Sequence, residues 1–316
     1  LPPIKKQRVS MTTESPRIGL ALGSGASRGW SHVGVVNALV KAGIEPDIVC
    51  GTSVGAMVGG AYVAGNLKKL VDWVLGSSRS DVYRFFDIKF SQAGFVNDAR
   101  MYRFLHSCVV AEDQNIADLP KPYVAIATDL YTGREVWFRK GNAARAIRAS
   151  MAMPGLFPPV RIEDQWLVDG GLVNPVPVSA CHALGAEVVI AVNLNSDILG
   201  KRNRRTTVTK ETPAHEEAGV LRSLKQQAID YSSSLFSRDE PKDDSPGLFS
   251  AISSSINIFQ DRITRSRLAG DPADVMISPR LGDIGLLEFG KAAEAMREGE
   301  KCVERALTQI QLALER

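Results

Sequence analysis

The sequence predicts an α/β fold: a mainly parallel sheet with helices on both faces and an inserted helical segment in its carboxyl third. Three observations carry that expectation. Near the amino end, patterns for strand, helix, strand and helix follow one another with glycines at the junctions, the order of a parallel sheet covered by helices. The run Glu187 to Leu194 is apolar without alternation, as a strand buried on both faces requires. At 316 residues and 44% hydrophobic content, the chain can bury a full core.

Arg17 to Gly23 reads as a first strand running into a glycine-rich turn. Trp30 to Lys41 carries Trp30, Val33, Val36 and Val40 at a helical period, and Gly43 follows as a stop. Asp47 to Cys50 is short and apolar enough for a buried strand. Val54 to Ala64, rich in small residues and ended by Gly65-Asn66, reads as a tightly packed helix. Residues 67–118 look mainly helical and loop-like. Pro122 to Ala127 is another strand, and Val136 to Phe138 is set to pair with it across the Tyr131–Arg134 turn. Asn142 to Met151 reads as a helix stopped by Pro154-Gly155. Trp166 to Val168 is a short strand ending in Asp169-Gly170-Gly171, and a helix runs from Pro177 to Gly185.

From residue 196 to about 245 the composition turns polar, with charged patches at Lys201–Arg205 and Arg238–Asp244 that read as connectors. Two stretches in this third are amphipathic. Leu221, Leu224, Ala228, Tyr231 and Leu235 share a 3-4 spacing, and so do Phe249, Ile252, Ile256, Phe259 and Ile263. Docking of these apolar stripes on the main core is the expectation, ahead of a membrane-facing or lid role. Ala273 to Pro279 returns a strand to the sheet, and an amphipathic helix from about Leu287 to Leu314 closes the chain. The resulting organisation is a flexible leader at 1–16, which an upstream start would explain (Met11 being the alternative first residue), and a main α/β core at 17–195. A polar connector with an amphipathic helix follows at 196–248, and residues 249–316 complete the same domain.

Bulk properties exclude several classes. A net charge of +3 is too slight for nucleic acid to be the main partner. Cys50, Cys108, Cys181 and Cys302 are widely spaced, which fits a reducing compartment rather than a disulfide scaffold or zinc site. No apolar run approaches the roughly 20 residues that span a bilayer, and the amino end lacks the apolar core of a signal peptide. A cytoplasmic protein is the default reading, with peripheral contact at the inner membrane face.

The most informative stretch is Gly51-Thr52-Ser53-Val54-Gly55, because a strand precedes it and a helix follows. A serine at such a turn sits on strained backbone with its hydroxyl exposed and the positive end of the helix aimed at the same spot. Gly51 and Gly55 permit the turn and the close approach of helix to sheet. A serine nucleophile needs a base and donors for the oxyanion. His32, His106, His182 and His215 occupy helix or connector positions and read as surface or packing residues. Asp169, at a strand end and followed by Gly170 and Gly171, is the better base, since ligands of open sheets bind at the carboxyl ends of strands. Read alone, Asp169-Gly170-Gly171 favours a turn aspartate supporting Gly170 at positive φ. The loop Gly23 to Gly29 opens a helix, so backbone N–H groups of Gly25 and Ala26 serve as oxyanion donors, with Gly23, Ser24, Arg28 and Gly29 supporting them.

Those three motifs resemble the patatin-like phospholipases in content, order and spacing, and are most similar to the bacterial branch related to neuropathy target esterase. Ala127 to Gly133 and Ala149 to Gly155 extend the resemblance, which covers about residues 17–195 and more loosely 269–272. It implies a patatin-like three-layer fold, and a Ser53–Asp169 dyad acting on acyl esters of phospholipids or lysophospholipids without cofactor or metal. Ser24 and Ala26 stand where many members carry glycine, so Ala26 is expected to adopt a conformation easy for its Cβ.

Two other classes compete. The loop spacing Gly-x-Gly-x-x-x-Gly is one residue longer than a dinucleotide fingerprint, and the second strand ends in Cys50-Gly51 where that fingerprint wants an acid for the ribose, which weighs against a nucleotide-binding protein. A regulatory or scaffold protein on the same fold is the other alternative. The Lys201–Arg205 cluster adds electrostatic attraction to anionic lipid if it is more than solvated linker charge.

Overall fold

The computed structural model describes residues 15–77, 98–198 and 248–315. Most of the leader, the Leu221–Leu235 stripe, His215 and both charged patches lie outside the described residues. Eight strands among the described residues form one sheet: β1 (Ile18–Leu22), β2 (Ile48–Thr52), β3 (Tyr123–Asp129), β4 (Glu135–Phe138), β5 (Val160–Ile162), β6 (Gln165–Asp169), β7 (Val188–Val192) and β8 (Val275–Ile277). The α-helices among the described residues are α1 (Trp30–Lys41), α2 (Val54–Val63), α3 (Leu67–Gly76), α4 (Asp98–Cys108), α5 (Ala143–Ser150), α6 (Val178–Ala183), α7 (Leu248–Gly270) and α8 (Ala292–Leu314).

Strands β3, β2, β1, β7 and β8 are parallel neighbours in that order, while β4 and β6 pair antiparallel with β3, and β5 with β6. The parallel part is buried on both faces, which is why its strands are apolar throughout. Leu20, Val49 and Ile190 belong to a core shared with α1, α2, α5 and α8; Ala21, Cys50, Ala191 and Val189 belong to a second core under α6. Alternation along each strand sends successive side chains to opposite layers.

Local signals account for most element ends. The Asn142 side chain accepts the backbone N–H of Arg145 and caps α5. Gly43, Gly65 and Gly185 all take positive φ just beyond helix ends. The β4 pairing across the Tyr131–Arg134 turn and the return of β8 to the sheet agree with the sequence reading. Strand β5 was not anticipated: three residues, with Arg161 exposed between Val160 and Ile162, carry no usable alternation.

The expectation for residues 249–263 holds only in part. Helix α7 docks through only part of its apolar stripe: Ile256 packs on the main core and Ile263 is half-buried, whereas Ile252 and Phe259 are exposed and Gln260, Asp261 and Thr264 are buried. Its covered face is mixed, with Ile256 and Leu268 packed against the two cores and Asn257, Gln260 and Arg267 hydrogen-bonded to neighbouring loops.

The pairing of β3 has a consequence for residues far apart in sequence. Strand β4 takes one edge of β3 over Ala125–Thr128, so β2 and β6 share the other. They run in opposite directions and meet end to end there, Thr52 opposite Ile126 and Asp169 opposite Ala127. The residue after Thr52 is Ser53.

Candidate active site

Ser53 joins β2 to α2 with φ 57° and ψ −123°, a strained conformation for a residue with a Cβ. Neighbours hold it there. Its N–H donates to Ser150 Oγ at 2.8 Å, and its carbonyl accepts from the N–H groups of Ala56 and Met57. A Cβ on Gly55 would strike the Leu22 carbonyl, so only glycine lets α2 sit this close to the end of β1. Gly51 lies under the same crossing.

The Ser53 hydroxyl donates to Asp169 Oδ2 at 2.6 Å, and Asp169 Oδ1 accepts the Gly171 N–H at 2.7 Å. The backbone of Asp169 is pinned as well: its N–H donates to the Ala152 carbonyl, and its carbonyl accepts from Thr128 Oγ1 at 2.8 Å. Gly170 presses against the Ile126 carbonyl, and Gly171 packs beside Ser24 and Gln260. Burial raises the carboxyl from an ordinary 3.8 to about 6, against the lowering effect of hydrogen bonds from Ser53 and Gly171. An ionised but weakly solvated carboxylate on a serine hydroxyl is a proton acceptor tuned near neutrality.

The loop from Gly23 to Gly29 runs along the same rim. The Gly23 and Ser24 N–H groups are spent on the carbonyls of Val192 and Pro175. Among the described residues, the N–H groups of Gly25 and Ala26 have no acceptor, and Ala26 lines a cavity with Ser53. Ala26 departs from expectation: its φ is 48°, so it holds a left-handed conformation despite its Cβ. The turn geometry that a glycine would adopt freely is imposed on it by its neighbours. Arg28, fully buried and lowered to about 10 by desolvation, braces the loop by donating to the Gly25 carbonyl at 3.2 Å and to Asn257 Oδ1 of α7 at 3.1 Å. Gly29 lies against Val54.

His32, expected as a surface or packing residue, is fully buried in a specific place. Its Nε2 lies 2.7 Å from the Gly23 carbonyl, which can only accept, so the ring donates from Nε2. Burial lowers its pKa to about 4, which keeps the ring neutral. His106 and His182 lie away from Ser53, on α4 and α6. Ser150, Asn195 and Gln260 were missed as site residues. Asn195 donates to Gln260 Oε1 at 2.9 Å behind the Ser24–Gly171 contact. Only Ser150 had a sequence signal, inside Ala149 to Gly155.

The cavity at Ser53 is narrow, about 30 Å³, and lined by apolar groups including Trp30, Met57, Met151, Met153, Phe157 and Phe289. A larger open groove of about 930 Å³, lined by Trp137, Arg139, Asn142 and Arg145, contains neither Ser53 nor Asp169.

Comparison with known proteins settles the family. The model described as "Patatin-like phospholipase" matches residues 20–182, a span that takes in the glycine loop, Ser53 and Asp169. An NTE family protein of Mycobacterium tuberculosis is 33% identical over 95% of this chain and 94% of its own length. The chain belongs to the patatin-like phospholipase family. As a patatin-like phospholipase it is a carboxylic ester hydrolase, on a mixed, mainly parallel sheet flanked by helices. It is also 28% identical to lysophospholipase nte1 of Neurospora crassa over 93% of this chain, and 31% identical to patatin-like phospholipase domain-containing protein 6 of Homo sapiens over 60%. The matches cover 18% and 14% of those two longer proteins. No helix of the described residues is long and apolar enough to cross a membrane.

Proposed function

We propose that this protein hydrolyses acyl esters of phospholipids or lysophospholipids through a Ser53–Asp169 dyad and an acyl-enzyme. The observation that carries the reading is the 2.6 Å contact between Ser53 Oγ and Asp169 Oδ2, beside two uncommitted N–H groups. Asp169 takes the hydroxyl proton as Ser53 Oγ bonds to the ester carbonyl carbon. The N–H groups of Gly25 and Ala26 receive the oxyanion. Collapse of the tetrahedral adduct expels the alcohol, which leaves with the proton held by Asp169. Water then repeats the sequence on the acyl-enzyme, giving up its proton to the same carboxylate and releasing a fatty acid and Ser53.

The apolar cavity at Ser53 suits an acyl chain better than a phosphate or nucleotide. At about 30 Å³ it holds about one water molecule, so a chain enters only as its lining rearranges. Three methionines among the lining groups make that rearrangement easy, since their unbranched side chains change shape at low cost. The names of the Neurospora and human relatives support lysophospholipids or phospholipids as the substrate class, with the lipid reached from a membrane or micelle.

The decisive experiment compares wild type with Ser53→Ala on p-nitrophenyl esters and lysophospholipids, alongside labelling by a fluorophosphonate. Loss of both label and turnover, the latter by about 10,000-fold, is expected. Undiminished labelling of Ser53→Ala dismisses this nucleophile.

A further inference from the structure

We propose that Gln260 of α7 is a positioning residue for the base: the NH2 end of its amide is directed at Asp169 across Gly171 and favours the carboxylate that faces Ser53. This role rests on the Ser53–Asp169 reading above and adds a side chain that governs the state of its acid.

Three segments distant in sequence build the arrangement. Gly171 follows the base by two residues, Asn195 lies just beyond β7, and Gln260 comes from α7. A Cβ at Gly171 would lie 2.5 Å from Gln260 Nε2, 3.0 Å from Asp169 Oδ1 and 3.2 Å from Ser24 Cβ. The amide nitrogen and the carboxylate oxygen thus flank one point beside the Gly171 Cα, a point that any side chain would fill. Gly171 does not take left-handed backbone, so the missing Cβ serves this close approach rather than a turn.

Which end of the Gln260 amide faces the acid follows from its neighbours. Asn195 Nδ2 donates to the Ser24 carbonyl at 3.5 Å, and a carbonyl can only accept, so the Asn195 amide nitrogen stands on that side. The same nitrogen donates to Gln260 Oε1 at 2.9 Å. Gln260 therefore spends its oxygen on Asn195 and turns its N–H groups to the side of Gly171 and Asp169. Asn195 is itself held, its backbone N–H donating to Asn193 Oδ1 at 3.0 Å.

As packing alone, this cluster is a poor choice of residues. Ser24 Oγ, Asn195 Oδ1 and Thr264 Oγ1 are buried without a partner among the described residues. Apolar side chains would fill the same space without that cost. What the polar groups supply is a fixed dipole with its positive end toward a buried carboxylate. The other buried charged side chains among the described residues are engaged elsewhere: Arg28 with Asn257, Arg148 with Asp98, Asp261 with Arg265, and Asp129 with the turn at Tyr131 and Thr132. Half-buried Arg267 of α7 is paired with Glu135 of β4, and His32 is neutral against the Gly23 carbonyl.

The test is the pH dependence of kcat/KM on soluble p-nitrophenyl butyrate for wild type, Gln260→Met, Gln260→Glu and Asp169→Asn. Methionine keeps the volume without the dipole. It should raise the inflection from about 6 by about half a unit, lowering kcat about threefold below pH 6 with KM unchanged and recovery on the alkaline plateau. Glutamate sets a second carboxyl beside the first and should raise the inflection by about one unit or more. Asn195→Ala, which releases the Gln260 oxygen, should shift it the same way by less, and decides the matter if Gln260→Met fails to fold. A residue that only packs would lower the rate at every pH and leave the inflection in place. Loss of turnover in Asp169→Asn with unmoved inflections in the other variants overturns the role of Gln260 alone. Turnover retained by Asp169→Asn overturns the dyad and the role together.

Discussion

The Ser150 hydroxyl accepts the backbone N–H of Ser53 at 2.8 Å, tying the last residue of α5 to the strained turn between β2 and α2. Removing that acceptor leaves a buried donor unsatisfied beside a residue already in a costly conformation. Ser150→Ala should therefore destabilise the fold by about 1–3 kcal/mol. Its loss in kcat should exceed any change in KM, since the displaced atom is the nucleophile. Chemical denaturation and steady-state kinetics on a soluble ester check both; unchanged kcat would remove Ser150 from the support of the turn.

Asp169 must be ionised to accept a proton, so kcat/KM should fall tenfold per pH unit below about pH 6 and level off above it. Asp169→Asn should abolish that limb together with turnover. A pH–rate profile on a soluble ester gives the answer, and an inflection left near an ordinary carboxyl value of 3.8 would contradict the assignment.

The same burial opposes stability. Asp169 ionises near 3.8 when unfolded and about 6 when folded, so stability from this group is full below 3.8 and lost as pH rises to 6. The ionised form costs on the order of 3 kcal/mol at neutral pH. Asp169→Asn keeps an acceptor for the Gly171 N–H without the charge, and should raise the melting temperature at pH 7 but not at pH 4.

His32 acts in the opposite sense. Its ordinary pKa of 6.5 is lowered to about 4, so stability is full above 6.5 and lost as pH falls through 4. His32→Gln retains a donor for the Gly23 carbonyl while removing the titration. Denaturation midpoints between pH 7 and 4 should decline less steeply in that variant than in wild type; parallel declines would exclude His32 as the source.

Ala26 occupies left-handed backbone that costs a residue with a Cβ about 1 kcal/mol. Ala26→Gly should relieve this strain yet gain entropy on unfolding, so the net change should be within about 1 kcal/mol of wild type. Activity should be retained, because the donated group is the backbone N–H. A loss beyond tenfold would show that the Cβ itself shapes the cavity.

Much of this protein was legible one segment at a time. Trp30–Lys41 has the bounds read from its period and stop signal, and α2 and β7 sit where small-residue content and an unbroken apolar run placed them. These features depend on near neighbours in the chain, whose spacing directly sets helical or extended backbone. Composition gave no access to the φ of Ala26, because that angle is imposed by the loop's surroundings. Nor did the stripe on α7 reveal that Ile256 packs on the core while Ile252 and Phe259 stay exposed: spacing shows that residues share a helix face, and only packing decides how much of that face is covered. Ser53 and Asp169 could be named separately, but they stand 116 residues apart. Their contact follows from two strands sharing one edge of β3 end to end, a matter of long-range register that no local pattern encodes.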